Sequence, residues 1–189
     1  MATVDVSTTT GVYALPIPRM IALVIGALVV ALGAQVAIPL PATPIPITLQ
    51  VPAVLLVGGL LGPRLGAASL VLYLTMGAAG LPVFAPMGAP GIARLFGPTG
   101  GYLLAYPLAA ALTGLIAADG RSWVRLASAV VVGLVVIHAG GVAQLAALGG
   151  DVAGAVKIGS LPFLLNDLPK LALAALLIRK FASQTKALR

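Results

Sequence analysis

Residues Val51–Leu81 read VPAVLLVGGLLGPRLGAASLVLYLTMGAAGL, an apolar run of 31 residues with glycine, proline and arginine near its centre. A bilayer core of about 30 Å is crossed by about 20 apolar residues. The run is too long for one helix unless that helix tilts steeply. Gly62-Pro63 is a turn signal, and in a single span Arg64 would be stranded in hydrocarbon. The stretch is therefore read as two short helices, near residues 49–61 and 65–80, joined at Gly62-Pro63-Arg64.

Four further stretches, residues 20–38, 102–118, 124–148 and 160–181, are long and apolar enough to span directly. Charge placement tests the division. With six spans, Arg19, Arg64, Arg121, Arg125, Arg179, Lys180, Lys186 and Arg189 share one side, and only Arg94 and Lys157 occupy the other. Five spans scatter the same residues across both faces. The six-span reading obeys the positive-inside rule and puts both termini in the cytoplasm. It yields an all-α membrane domain over residues 19–182, preceded by a polar leader (1–18) and followed by a basic tail (183–189). The first apolar run is too long, and its leader too polar, for a cleaved signal peptide.

Composition agrees. Of 189 residues, 60% are hydrophobic and 8% charged, too few polar groups to coat a soluble core of this size. A disordered chain and a disulfide-stapled module are excluded, the latter because cysteine is absent. The net charge of +7 is dispersed between apolar runs, which fits loop charge on one membrane face rather than a nucleic-acid surface. The partner implied by these numbers is the lipid bilayer.

Two connections on the sparsely charged side are unusual. Pro39–Pro46 has four prolines in eight residues and resists helix formation; its apolar content predicts that it packs down on the bundle. Residues 81–101 carry four prolines, several glycines and Arg94. Long loops on one face over a helical bundle suggest a lidded cavity, although they also serve as plain connections.

The sharpest polar feature is Asn166-Asp167-Leu168-Pro169-Lys170. Asp167 and Lys170 share a helix face at i,i+3 spacing. Charges within a span are expensive and face the bundle interior. Two readings stand: an ion pair that locks helices, or a polar anchor offering an acceptor and a donor to a ligand. His138, mid-way along its helix, lacks the neighbours a metal site needs and reads as a packing or cavity hydrogen-bonding residue, with Gln144 on the same face. Tyr73, Tyr102, Phe84 and Phe163 lie near the loop side, where aromatics often anchor at the interface. Thr48 and Gln50 either line a cavity or cap the second helix. In the first helix Ala22-x3-Gly26 and Ala27-x3-Ala31 permit close approach of another helix, internal or from a partner. No phosphate loop, zinc motif or nucleophile elbow is present, and four acidic residues supply no acid–base pair, so an enzyme is not expected.

Taken in order, Pro44-Ile-Pro46-Ile-Thr48-Leu49-Gln50, Leu60-Leu-Gly62 with Gly66, Gly80-Leu81-Pro82-Val83-Phe84, Gly97-Pro98-Thr99-Gly100-Gly101-Tyr102, His138, and Pro162-Phe163 leading to Asp167 and Lys170 resemble the BioY family. These are the biotin-binding S components of energy-coupling factor (ECF) transporters. The resemblance spans roughly residues 20–180. It implies a six-helix S-component fold, multi-pass in the bacterial cell membrane, with biotin as transported ligand and no cofactor. It implies as partners a transmembrane coupling protein and a pair of ATPase subunits. The residues it implies at the ligand are Asp167 and Lys170 on the polar ring system, Arg94 on the valerate carboxylate, and Asn166, Gln50, Tyr73 and Phe84 around them. Ala22, Gly26, Ala27 and Ala31 are the docking face it implies. The family leads one to expect an amide after Phe84, where this chain reads Ala85-Pro86-Met87-Gly88-Ala89-Pro90. An S component for another vitamin and a purely structural membrane protein are the alternatives.

Overall fold

A computed structural model describes residues 17–118 and 120–188. The leader expected over residues 1–18 lies almost wholly outside the described residues. Helix α1 (Ile17–Gln35) leads into a two-stranded ribbon, β1 (Ala37–Leu40) and β2 (Thr43–Thr48). Then come α2 (Gln50–Ala78), a short α3 (Ala93–Phe96), α4 (Gly100–Ala117), α5 (Trp123–Gly149), α6 (Val152–Gly159) and α7 (Leu161–Phe181). Five of these, α1, α2, α4, α5 and α7, are long and apolar enough to cross a membrane.

Helix α2 is not one rod. Gly62 sits at φ 80°, ψ 177°, a conformation closed to residues with a side chain, and Pro63 follows it. The Gln50 Nε2 amide donates to the Tyr73 hydroxyl at 2.7 Å. On a straight helix those residues would stand about 35 Å apart. A Cβ on Gly66 would lie 2.9 Å from the Gly58 Cα, so the two arms run antiparallel in near backbone contact. Gly114 of α4 sits across the same bend, where a Cβ would meet the Gly62 carbonyl carbon at 2.6 Å. Glycine here is a packing requirement, because helices this close have no room for a side chain.

The other helices fall into place around this hairpin. Helices α4 and α5 are antiparallel: a Cβ on Gly140 would meet the Gly101 carbonyl at 2.6 Å, and the Thr113 hydroxyl donates to the Ala129 carbonyl at 3.4 Å. At the end of the bundle holding the Gly62 bend, the Arg179 guanidinium donates to the Arg121 carbonyl at 2.6 Å and lies 4.4 Å from the Trp123 ring centre. The terminal 3₁₀ turn (Lys186–Leu188) packs against α1 and α2. The opposite end carries the ribbon, residues 81–99 and α6.

Several expectations need correction. The first helix ends at Gln35 rather than residue 38, because residues 37–40 pair as a strand with Ala37 opposite Thr48 and Ile38 opposite Ile47. In a two-stranded ribbon both strands are edges, so Pro39, Pro44 and Pro46 cost little pairing. The link between the last two long helices contains α6, capped by Asp151, whose carboxylate accepts from the Ala153 and Gly154 amides at 2.9 Å each. Ala22, Gly26, Ala27 and Ala31 do not present a docking face. All four are buried, and a Cβ on Gly26 would strike the Ser69 hydroxyl at 2.7 Å, so this face of α1 turns inward and α2 packs on it at Gly26. The outward face of α1 is instead Ile21, Val24, Ile25, Leu28 and Leu32. Large exposed aliphatic residues continue along α4, α5 and α7, an outer surface suited to lipid.

Candidate functional site

A cavity opens at the loop-bearing end and encloses about 630 Å³ of unfilled space, including its mouth. Its roof is Ile45, Pro46 and Thr48 of β2 with Phe84, Ala85 and Arg94 of the 81–99 loop. Its walls come from Thr99 just ahead of α4, from α4 through Tyr102, Leu103 and Tyr106, and from α5 through Ile137 and His138. Helix α7 contributes Phe163, Asp167 and Lys170, and the start of α2 adds Gln50 and Val51. The loop is held down by two amides and a guanidinium. Gln144 donates to the Leu95 and Gly97 carbonyls at 2.9 and 2.6 Å, and Gln35 to those of Pro82 and Phe84 at 3.3 Å each. Arg94 donates to the carbonyls of Ala85 and Met87.

Two polar centres face this space. On α7, Asp167 is 2% exposed, and its Oδ1 accepts from the Lys170 ammonium at 3.0 Å. Its Oδ2 lies 3.1 Å from His138 Nε2, while His138 Nδ1 lies 3.0 Å from the Ser160 hydroxyl. The carboxylate thus joins α5 and α7. In the loop, Arg94 is 6% exposed, and its Nε is buried without a hydrogen-bond partner. Among the described residues no carboxylate lies within ion-pair distance of it. Burial pulls its guanidinium below the ordinary arginine range, yet arginine stays cationic at neutral pH. A buried cation compensated only by neutral carbonyls attracts an anion.

The model of the BioY family matches residues 6–187, nearly the full chain. The chain belongs to the BioY family. The probable biotin transporter BioY of Pyrococcus horikoshii is 41% identical over 153 residues, covering 81% of this chain and 89% of that protein. The biotin transporter BioY of Thermotoga maritima is 39% identical over 148 residues, covering 78% of this chain and 86% of its own length. In three dimensions the chain resembles the crystal structure of the S-component for biotin from an ECF-type ABC transporter. That match has a TM-score of 0.79 at 25% identity and covers 90% of this chain and 96% of that one.

In this BioY protein the residues singled out from sequence separate into groups. Asp167, Lys170, Arg94, Gln50 and Phe84 line one cavity. Tyr73 is fully buried behind it, holding Gln50 and meeting the Phe84 ring edge-on at 5.5 Å. Gln50 also accepts from the Thr48 hydroxyl at 3.1 Å, so one of its two N–H donors and one of its two acceptor positions are engaged by the wall. Asn166 is exposed, donates to its own helix at Pro162 (3.3 Å), and does not line the cavity. Tyr106 and Ser160 were not singled out. For Tyr106 a signal existed: Thr99, Tyr102, Leu103 and Tyr106 follow i, i+3, i+4, i+7 and spell one helix face. Ser160 gave none, since its role appears only when α6 and α7 meet α5.

Proposed function

We propose that this BioY protein is a transport subunit that captures biotin and hands it inward as the S component of an ECF-type transporter. The observation that carries the reading is one apolar-walled cavity with two unlike polar centres. Asp167 with Lys170 offers an acceptor and a donor to an uncharged polar ring, and Arg94 offers an uncompensated cation to a carboxylate. Biotin carries both groups on one molecule, a cyclic urea and a carboxylate, joined by an apolar chain. The naming of the relatives supports the same ligand.

The two arms of α2 act as separate short crossings, so the domain passes the membrane six times. The end with Arg64, Arg121, Arg125, Arg179 and Lys186 lies in the cytoplasm, and the cavity opens outward under Arg94 and Lys157. This chain holds no nucleotide-binding motif, so ATPase subunits and a coupling protein supply the drive.

The decisive experiment is equilibrium binding of labelled biotin to the purified chain, with a competition panel of thiamine, riboflavin and other vitamins. Biotin is expected to bind with a dissociation constant between roughly nanomolar and low micromolar values and to resist the panel. A better competitor reassigns the vitamin. Absence of any vitamin binding overturns the reading in favour of a structural membrane protein.

A further inference from the structure

His138 touches the polar anchor without being needed to neutralise it. Lys170 already supplies Asp167 with a cation at 3.0 Å. Yet both imidazole nitrogens are committed, Nε2 to Asp167 Oδ2 at 3.1 Å and Nδ1 to the Ser160 hydroxyl at 3.0 Å. A carboxylate paired to an ammonium accepts, so Nε2 donates to it. The neutral tautomer that satisfies both contacts has the Ser160 hydroxyl donating to Nδ1. The ring is packed as well as bonded: the Tyr102 ring stands edge-on to it at 6.1 Å and Phe163 lies at 6.3 Å. Ser160 sits at the α6–α7 junction, and the preceding carbonyl, Gly159, accepts from the Tyr102 hydroxyl at 2.6 Å. Residues from α4, α5 and the α6–α7 junction thus converge on one imidazole that lines the cavity.

We infer that His138 is a positioning residue for ligand selection, tethering the second oxygen of Asp167 so that the carboxylate meets a ligand N–H in one fixed orientation. A carboxylate has about four acceptor positions. Lys170 takes one on Oδ1 and His138 one on Oδ2, which leaves acceptor capacity on a group that can no longer swivel about its side-chain torsion. A preorganised acceptor favours a ring N–H aimed at it and rejects an N-alkylated ring, because a desolvated acceptor left unpaired is penalised. Without the tether the carboxylate is held through Oδ1 alone, by Lys170, and both the affinity and the discrimination decline together. This inference rests on the biotin reading above, in which the ring is a cyclic urea with two N–H groups.

The experiment compares biotin with its analogue methylated on one urea nitrogen, by displacement of labelled biotin from the purified full chain, in wild type, His138→Leu, His138→Gln and Ser160→Ala. His138→Leu is expected to weaken biotin about tenfold or more and to shrink the preference over the methylated analogue by a similar factor. His138→Gln, which can place an amide N–H near the imidazole Nε2 position, is expected to recover both to within about threefold. Ser160→Ala leaves the ring in place but frees it, and is expected to lower both modestly. The inference is overturned if His138→Leu binds biotin as wild type does, or if leucine and glutamine lower affinity equally while the preference survives, which would make the ring mere packing. Should the leucine variant not fold, Ser160→Ala decides: lowered preference supports the tether, unchanged preference overturns it. Failure of wild type to bind biotin is a separate result and sinks the functional reading itself.

Discussion

The two polar centres of the cavity ask for different tests, because one is internally paired and the other is not. Asp167 and Lys170 pair at 3.0 Å, so truncating either alone leaves the other without its counter-charge. If the pair only locks helices, Lys170→Ala and Asp167→Ala each lower thermal stability and the Asp167→Asn/Lys170→Met double variant restores it with ligand affinity never at issue. If the pair anchors ligand, Lys170→Ala weakens biotin at least about tenfold, about 1.4 kcal/mol, and the double variant recovers stability without recovering binding. Melting curves and titrations on the same preparations separate the outcomes. Arg94 is expected to act on the other end of the ligand. Arg94→Ala is expected to cost biotin about tenfold or more while scarcely changing the binding of biotin amide, which lacks the carboxylate. Equal losses for acid and amide would show that Arg94 serves only to hold Ala85 and Met87.

Among the elements, the α2 hairpin carries the most consequence per residue. Gly62 at φ 80°, ψ 177° occupies a region that essentially only glycine enters, so Gly62→Ala is expected to lower stability by about 1–3 kcal/mol, read as a drop in detergent melting temperature. An unchanged melting temperature would mean that the bend is set by Pro63 and the crossing at Gly114 instead. This bend was legible in sequence because its chemistry is local: glycine, proline and a charge stand together. The α6 turn and the strand pairing of Ala37–Leu40 were not legible, since eight residues are too short a window to establish a helical period and a proline-rich ribbon does not alternate cleanly. The small residues of α1 announced a close helix contact but not its partner; Ser69 of α2 fills that place. For the site, Asp167 and Lys170 were readable from the expense of charge in a span. The His138–Ser160 contact joins residues 22 apart in sequence and existed only once three helices were placed.

Taken whole, the molecule has two unlike ends, and the direction in the membrane proposed above rests on them. One end gathers the Gly62 bend, the 120–122 turn and the close of α7, with Arg179 on the Arg121 carbonyl and the last turn against α1 and α2. The other gathers the ribbon, the 81–99 loop and α6, with Arg94 and Lys157 its basic residues. If α2 crossed once as a single rod, Arg64 would be buried in lipid and the chain ends would fall on opposite faces. If its arms cross separately, Arg64 and the tail share a face. The chain has no cysteine, so single-cysteine variants need no background changes. Arg64→Cys and Lys186→Cys are expected to react with an impermeant maleimide only after permeabilisation, and Lys157→Cys from outside in intact cells. Labelling of positions 64 and 157 from the same side would eliminate six crossings. Labelling of Lys157→Cys only after permeabilisation would turn the cavity away from the external biotin it is proposed to capture, because the cavity lies at the same end as Lys157 and opposite the Gly62 bend.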